Sequence, residues 1–237
     1  MIRIFALLCL GLISACGSGP SRVRDQSGAG LPAGGESASA FVLPGAYAEE
    51  TSLADFQALF GKANVSIVPD PERSAWGTPA SRVILFPDDP TRRAFVDFHD
   101  PDSLIGVSAI TVRDSGSVWR GKLGVRIGMS FAELRAVNGK SFYYAGFDSL
   151  GRGWCHDSWS PALDGDDGSL GKLDVHEGDQ MYFGVELGLR PSNGPLPPSD
   201  YPQDEYSVMS EDPRFPRIAS QVVVTGINAT TSLDDEW

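Results

Sequence analysis

Two copies of one helix pattern, with starting points 78 residues apart, constrain this sequence more than any other feature. Residues 52–62 read SLADFQALFGK and residues 130–140 read SFAELRAVNGK, so five of the eleven positions are identical. In each copy, a serine and an acidic residue three positions later form a capping box, and apolar residues then recur at helical spacing. Gly61 and Gly139 are typical of the left-handed residue that ends a helix. The pattern predicts two short, capped helices.

Segments with strand character follow each predicted helix, separated by turns rich in Asp, Pro and Gly. They comprise residues 82–86, 94–98 and 105–112 after the first helix, and residues 142–145, 154–158, 173–176, 181–189 and 221–227 after the second. A helix followed by antiparallel strands, twice, predicts an α+β protein made of two tandem units. We expect each unit to be a short capped helix packed on a small antiparallel sheet.

Composition predicts the limits of these units. The first unit is expected at residues 46–120 and the second at residues 121–237. The second contains a long Pro-rich loop at residues 191–216, and a connection of that length is either functional or mobile. Residues 16–45 begin with a stretch rich in Gly, Ser, Ala and Arg that has no hydrophobic period, which indicates a flexible tether.

The residues before the tether resemble a bacterial export signal. Arg3 is followed by an apolar stretch at residues 4–13, which is too short for a bilayer because spanning needs ~20 residues. The sequence then reads Ile-Ser-Ala-Cys, which resembles the lipobox of bacterial lipoprotein precursors. This resemblance implies that residues 1–15 are a signal peptide and that Cys16 is acylated. The alternative is a conventional secreted protein with Cys16 near an ordinary cleavage site.

The net charge and the residues after Cys16 predict how the chain is attached to a membrane and which membrane this is. Acidic residues outnumber basic ones by 31 to 19, so anionic lipid repels the chain and acyl chains on Cys16 must provide the membrane attachment. The same charge excludes nucleic acid as a partner, because phosphates require Lys and Arg. Gly17 and Ser18 stand where inner-membrane lipoproteins of enteric bacteria carry an Asp. This favours the outer membrane, with the chain facing the periplasm.

The second helix copy also resembles a known family of envelope proteins. Gly128, Met129 and Ser130, followed by Leu134 and Gly139, are similar to the helix motif of the small outer-membrane lipoproteins of the β-barrel assembly machinery. Tandem helix-plus-sheet units of nearly this length are similar to those of the secreted β-lactamase inhibitor proteins. Both families bind proteins and catalyse no reaction. The resemblance therefore implies an α+β fold with a protein-binding function.

Known catalytic and metal-binding patterns are not found in the sequence. His99, His156 and His176 lack the spacing of a zinc site, and no GxSxG nucleophile motif occurs. Cys155 directly precedes His156, and neighbours on a strand point to opposite faces, so the two side chains cannot form a catalytic thiolate–imidazolium pair. Cys155 is therefore expected to be a buried thiol. The acidic run at residues 164–168 is a solvated turn or a cation site, and the turn is favoured. We expect no catalytic residue, no metal and no cofactor.

Three functions remain open from the sequence. The first is a non-catalytic module that binds or scaffolds an envelope protein, and the alternative is a periplasmic inhibitor or immunity-type lipoprotein that blocks a hydrolase. The third is an enzyme with an unrecognised site. Trp154 and Trp159 would face opposite sides of a regular strand, and an aromatic on an open sheet face is a strong binding anchor. We therefore expect Trp159 and Tyr144 to be the anchors, with the loop at residues 191–216 as their rim.

The lipobox generates the first testable prediction. We expect the substitution Cys16→Ala to abolish acylation and retention in the outer membrane, because the thiol that carries the lipid is lost. The domain after residue 45 should stay folded, since the tether separates the anchor from the core. Metabolic labelling with a palmitate analogue measures the acylation. Label on the Cys16→Ala protein would show that another residue is modified.

Overall fold

The computed structural model describes residues 37–70, 81–155, 159–161, 170–176, 178–189 and 201–231. The predicted signal peptide, Cys16, most of the predicted tether and the acidic run at residues 164–168 lie outside the described residues. Within the described ranges, no helix is both long enough and apolar enough to cross a membrane. These ranges form a mixed α+β protein with a mostly antiparallel sheet.

Both predicted helices are present and begin at the predicted capping boxes. They are α1 (Leu53–Phe60) and α2 (Phe131–Asn138). The Ser52 hydroxyl accepts the N–H of Asp55 at 3.3 Å, and the Asp55 carboxylate accepts the N–H of Ser52 at 2.9 Å. Ser130 and Glu133 form the same two bonds at 3.3 and 2.7 Å. The prediction of two capped helices is therefore confirmed.

The two helices end in different ways. Gly139 follows α2 in the predicted left-handed conformation, with φ 78° and ψ −2°. Gly61 also has a positive φ of 82°, which favours glycine, but its ψ of 141° is extended. The chain therefore leaves α1 through a one-turn 3-10 helix at Lys62–Asn64 and enters strand β2 (Val65–Pro69). The sequence pattern did not predict this strand.

The strands elsewhere follow most of the predicted segments. They are β1 (Val42–Leu43), β3 (Ser81–Leu85), β4 (Ala94–Asp100), β5 (Ile105–Val112), β6 (Arg120–Gly121), β7 (Tyr143–Tyr144), β8 (Arg152–Cys155), β9 (Tyr182–Leu189), β10 (Val208–Met209) and β11 (Val222–Thr230), with a short helix α3 (Ile218–Gln221) before the last. Residues 173–176 are not a strand, because the N–H of Leu173 donates to the side chain of Asn138 instead of to a neighbouring strand.

Seven of these strands form one antiparallel sheet in the order β2-β3-β4-β5-β11-β9-β8. β5 and β11 join the two halves of the sheet through pairs that run from Val112–Ile227 to Ala109–Thr230. The sequence predicted two small sheets, and the structure has one large sheet in their place. A free strand edge exposes unpaired backbone groups, and here each half covers the inner edge of the other. β1 pairs with β6 and β7 pairs with β10 outside this sheet.

One hydrophobic core lies between the helices and one face of the sheet. Aromatic rings fill it beside each helix: Phe60 lies 5.2 Å from Phe86 near α1, and Phe131 lies 5.3 Å from Phe142 near α2. Edge and tilted contacts of this kind stabilise a core beyond the area that they bury. Because both helices pack on this face, the opposite face of the sheet carries the polar side chains of the alternating strands.

The capping boxes generate a prediction about stability. We expect Ser52→Ala and Ser130→Ala each to lower the free energy of unfolding by about 1 kcal/mol, because each removes an acceptor for a helix N–H. Equilibrium unfolding in urea measures the change. Ser207→Ala is the matched control, since Ser207 is exposed and lies outside any helix. A cap variant as stable as the Ser207→Ala protein would contradict the role assigned to that serine.

Candidate functional site

Trp159, one of the two predicted binding anchors, lies in the hydrophobic core. Its side chain is 1% exposed, its ring stacks on Phe183 at 6.0 Å, and its Nε1–H donates to the Phe183 carbonyl at 2.9 Å. The prediction assumed one regular strand from Trp154 to Trp159, but β8 ends at Cys155. Trp159 lies outside β8, so alternation along that strand does not give the direction of its ring. The prediction is corrected: in this structure Trp159 is a core residue and not a surface anchor.

A buried asparagine holds Trp159 in this position. The Asn138 side chain is fully buried at the end of α2, and its Nδ2 donates to the carbonyl of Trp159 at 2.8 Å. Its Oδ1 accepts the N–H of Leu173 at 3.1 Å. At Gly171, an added Cβ would lie 2.1 Å from the Trp159 carbonyl oxygen, so this glycine permits the close approach. Trp159 is thus fixed by its backbone as well as by its ring.

Tyr144, the second predicted anchor, is also a core residue. It lies in β7, its side chain is 2% exposed, and its ring meets that of Phe131 edge-on at 5.1 Å. β7 pairs with β10, which places Tyr144 opposite Val208. Burial raises the pKa of the Tyr144 hydroxyl. A partner cannot reach this ring in the folded protein, and the prediction is corrected for this residue too.

Two segments beside the sheet display apolar side chains to solvent. Residues 143–152 and 201–214 are joined by backbone bonds, and we call them together the side platform. The N–H groups of Gly146 and Phe147 donate to carbonyls of the second segment at 2.7 and 2.9 Å. An added Cβ at Gly146 would lie 2.9 Å from the Pro202 carbonyl oxygen, so glycine allows the two segments to approach closely.

Leu150 stands at the tip of a tightly bonded turn of the side platform. Its side chain is 73% exposed. The Asp148 carboxylate accepts the N–H of Leu150 at 2.8 Å, the N–H of Arg152 at 2.9 Å and the Nε–H of Arg152 at 2.8 Å. Burial opposes ionisation of Asp148, but these bonds outweigh it and lower the pKa of the carboxyl. The ionised carboxylate therefore fixes the turn that presents Leu150.

Tyr206 is the second apolar side chain that the side platform displays. Its side chain is 94% exposed, and the Glu205 carbonyl just before it accepts the N–H of Gly146 at 2.7 Å. The Arg214 guanidinium donates to Glu205 at 2.9 Å and to Asp212 at 2.7 Å. Hydrogen bonds from Arg214 lower the pKa of the Asp212 carboxyl. Tyr206 is thus an exposed ring that follows a hydrogen-bonded backbone group and lies next to a group of paired charges.

The side platform is acidic around Tyr206. Residues 201–214 carry one cation, Arg214, and four carboxylates: Asp204, Glu205, Glu211 and Asp212. The predicted rim spans residues 191–216, and neither Tyr206 nor Leu150 is among the predicted anchors. The signal that marks both is a single large apolar residue in a polar turn, DSLGR at residues 148–152 and DEYS at residues 204–207. Such a residue contributes to no core stripe.

The described residues bring few reactive groups together. They contain no group of three or more His, Cys, Asp or Glu placed to hold a metal ion. Cys155 is buried and its thiol donates to the Tyr143 carbonyl at 3.2 Å, which confirms the prediction of a buried thiol. The Nε2 of His99 lies 2.8 Å from the Thr231 hydroxyl in an exposed pair. His156 lies outside the described residues.

No protein family, curated protein or solved structure was found to match this chain. The acylation of Cys16 and the two family resemblances therefore stay predictions. The side platform is defined by the geometry of the chain itself, through the exposed Leu150 and Tyr206 and the bonds that hold their backbones.

A stability experiment distinguishes the buried Trp159 from the exposed Tyr206. We expect Trp159→Ala to lower the free energy of unfolding by about 3–5 kcal/mol, because it empties a packed core site. Tyr206→Ala should change it by less than about 0.5 kcal/mol, because the ring is exposed. Equilibrium unfolding in urea measures both. If the Trp159→Ala protein is as stable as the Tyr206→Ala protein, the core position of Trp159 is refuted.

Proposed function

We propose that this chain is a lipid-anchored envelope protein that binds another protein through the side platform and does not catalyse a reaction. The lipobox at Cys16 and the tether support the anchored form. The contact surface is supported by one observation above all, the 94% exposure of Tyr206 next to the backbone bond that joins Gly146 to Glu205. Exposed aromatic residues dominate the energy of many protein interfaces.

Rigidity makes the side platform suited to binding. A surface that already holds its bound conformation loses little conformational entropy when a partner docks. Asp148 fixes the turn of Leu150, and backbone bonds from Gly146 and Phe147 hold the segment of Tyr206. The backbone that carries each of the two apolar side chains is thereby held in place.

Charge indicates the chemistry of the partner. Four carboxylates against one cation at residues 201–214, on a chain with formal net charge −12, attract a basic surface and repel an acidic one. Steering of this kind raises the rate of association and weakens as salt is added. The proposed partner is therefore an envelope protein with a basic surface and an apolar recess for Tyr206.

We also propose that the chain is built from two tandem helix-plus-sheet units. α1 and α2 begin 78 residues apart and carry equivalent capping boxes. In the sheet, β2, β3, β4 and β5 follow α1, whereas β8, β9 and β11 follow α2. A duplicated unit accounts for both regularities, and the side platform is then an elaboration of the second unit.

A second candidate function is inhibition of a hydrolase. The turn of Leu150 favours it, because an apolar side chain at the tip of a rigid turn fits a concave enzyme site. The Asp148 carboxylate holds this turn through three hydrogen bonds. Identification of the partner separates the two functions: a lytic or lactam-cleaving enzyme supports inhibition, and an assembly component supports scaffolding.

The experiment places a photo-crosslinking residue in the full-length protein in its native envelope. We expect positions 150 and 206 to crosslink to the same protein. Ile105 and Leu123 are the control positions, since they are 64% and 58% exposed but lie outside the side platform. Crosslinks from the control positions to the same partner, or none from positions 150 and 206, would contradict the proposal.

Binding of the identified partner then tests the role of the ring. We expect Tyr206→Ala to weaken affinity by about tenfold or more, equivalent to about 1.4 kcal/mol, because the aromatic contact is lost. Tyr206→Phe is the matched variant, and it should retain most of the affinity because it keeps the ring. Added salt should slow association. Equal affinities of the Ala variant and the original protein would refute Tyr206 as an anchor.

A further inference from the structure

The two outer strands of the sheet differ in the hydrogen bonds made at their outer edges. At one end, the edge of β8 is covered, since the N–H of Ala145 donates to the Trp154 carbonyl at 2.8 Å. At the other end is β2, and no strand within the described residues pairs with its outer edge. An uncovered edge is a template for another strand.

The register of β2 shows which backbone groups point outward. The N–H of Phe86 donates to the Asn64 carbonyl at 2.7 Å, which makes this a hydrogen-bonded pair of the β2–β3 ladder. Hydrogen-bonded pairs alternate along antiparallel strands, so Ser66 and Val68 also direct their backbone groups to β3. The N–H and C=O of Ile67 therefore point away from the sheet.

The neighbours of Ile67 on this edge offer acceptors but no donors. The N–H of Val65 is already bonded to the Lys62 carbonyl, and Pro69 has no N–H. The carbonyls of Val65, Ile67 and Pro69 all point outward by the same alternation. The edge thus presents one donor at its centre and three acceptors.

The side chains of β2 do not protect this edge. Natural edge strands are commonly blunted by charged residues, and Val65–Pro69 contains none. Ile67 is 51% exposed at the centre of the strand. Within Val65–Pro69, Pro69 is the one residue that limits pairing at this edge, because it has no N–H.

We infer that β2 accepts an extended strand of a different protein, which adds to the sheet by antiparallel pairing centred on Ile67. Such a strand exchanges two hydrogen bonds with Ile67. Its N–H groups two positions on either side donate to the carbonyls of Val65 and Pro69. The partner strand therefore has no proline at these three alternating positions, and it carries an apolar side chain beside Ile67.

The same geometry disfavours a second copy of this chain. A two-fold pairing centred on Ile67 places Pro69 of one copy opposite Val65 of the other. Pro69 has no N–H to give, and the N–H of Val65 is already used within its own chain. Such a pairing keeps the two central bonds and loses the outer ones. Net charge of −12 on each copy adds repulsion.

This surface is independent of the side platform. The side platform adjoins β8 through Ala145, and β2 is the opposite end strand of the sheet. A failure of the experiments on Tyr206 therefore leaves the inference about β2 intact, and the reverse also holds.

The test uses full-length protein in its native envelope, with a photo-crosslinking residue in place of Ser66. We expect a crosslink to an extended segment of a different protein. Ile67→Pro removes the outward donor without removing a bond to β3, so it should reduce the crosslink yield by about tenfold or more. Ile67→Thr is the matched control: it also shortens the side chain but keeps the N–H, and its yield should stay within about twofold.

A second pair of variants checks the register itself. Val68→Pro removes a donor that faces β3 and should lower the melting temperature, whereas Ile67→Pro should leave it close to that of Ile67→Thr. The inference is overturned if Ile67→Pro unfolds the protein as Val68→Pro does. It is also overturned if no crosslink forms, if the crosslinked partner is a second copy, or if Ile67→Pro leaves the yield unchanged.

Discussion

The antiparallel pairing of β5 with β11 is the contact on which the rest of the sheet depends, because it joins strands from opposite halves of the chain. Val112 lies opposite Ile227 and Ala109 lies opposite Thr230. Without this strand pairing, each half of the sheet would have an unpaired inner edge and half of a hydrophobic core. With it, the helices α1 and α2 pack on one continuous face, and the two outer edges lie far apart.

An ion pair crosses the β5–β11 pairing on the sheet face opposite the helices. Arg113, just beyond β5, donates to Glu186 in β9 at 2.8 Å, passing over β11 at Gly226. An added Cβ at Gly226 would lie 2.7 Å from the Glu186 carboxylate, so a larger residue would require this carboxylate to shift. Arg113 is half exposed, and an ion pair of this kind contributes little to stability. It instead links the end of β5 to β9 across the intervening β11.

Local features of the fold were predictable from the sequence, and features that depend on distant contacts were not. The helix starts at Ser52 and Ser130 follow from capping boxes that lie within four residues. The burial of Trp159 depends on Asn138, which holds its backbone from another element, so strand alternation alone misplaced it. Tyr206 was missed for a related reason. Its ring is 94% exposed, and no periodic pattern marks an apolar residue that lies outside the core.

The position of β11 has a consequence for the order in which the fold can be completed. β11 is the last strand of the described chain, yet it lies in the interior of the sheet between β5 and β9. A ribosome delivers it after the other strands of this sheet. Non-local pairings of this kind form slowly, because a long loop must close first. A chain that is cut short before residue 222 lacks the β5–β11 pairing and not merely an edge. Only a molecule that contains residues 222–230 can therefore close the sheet between β5 and β9.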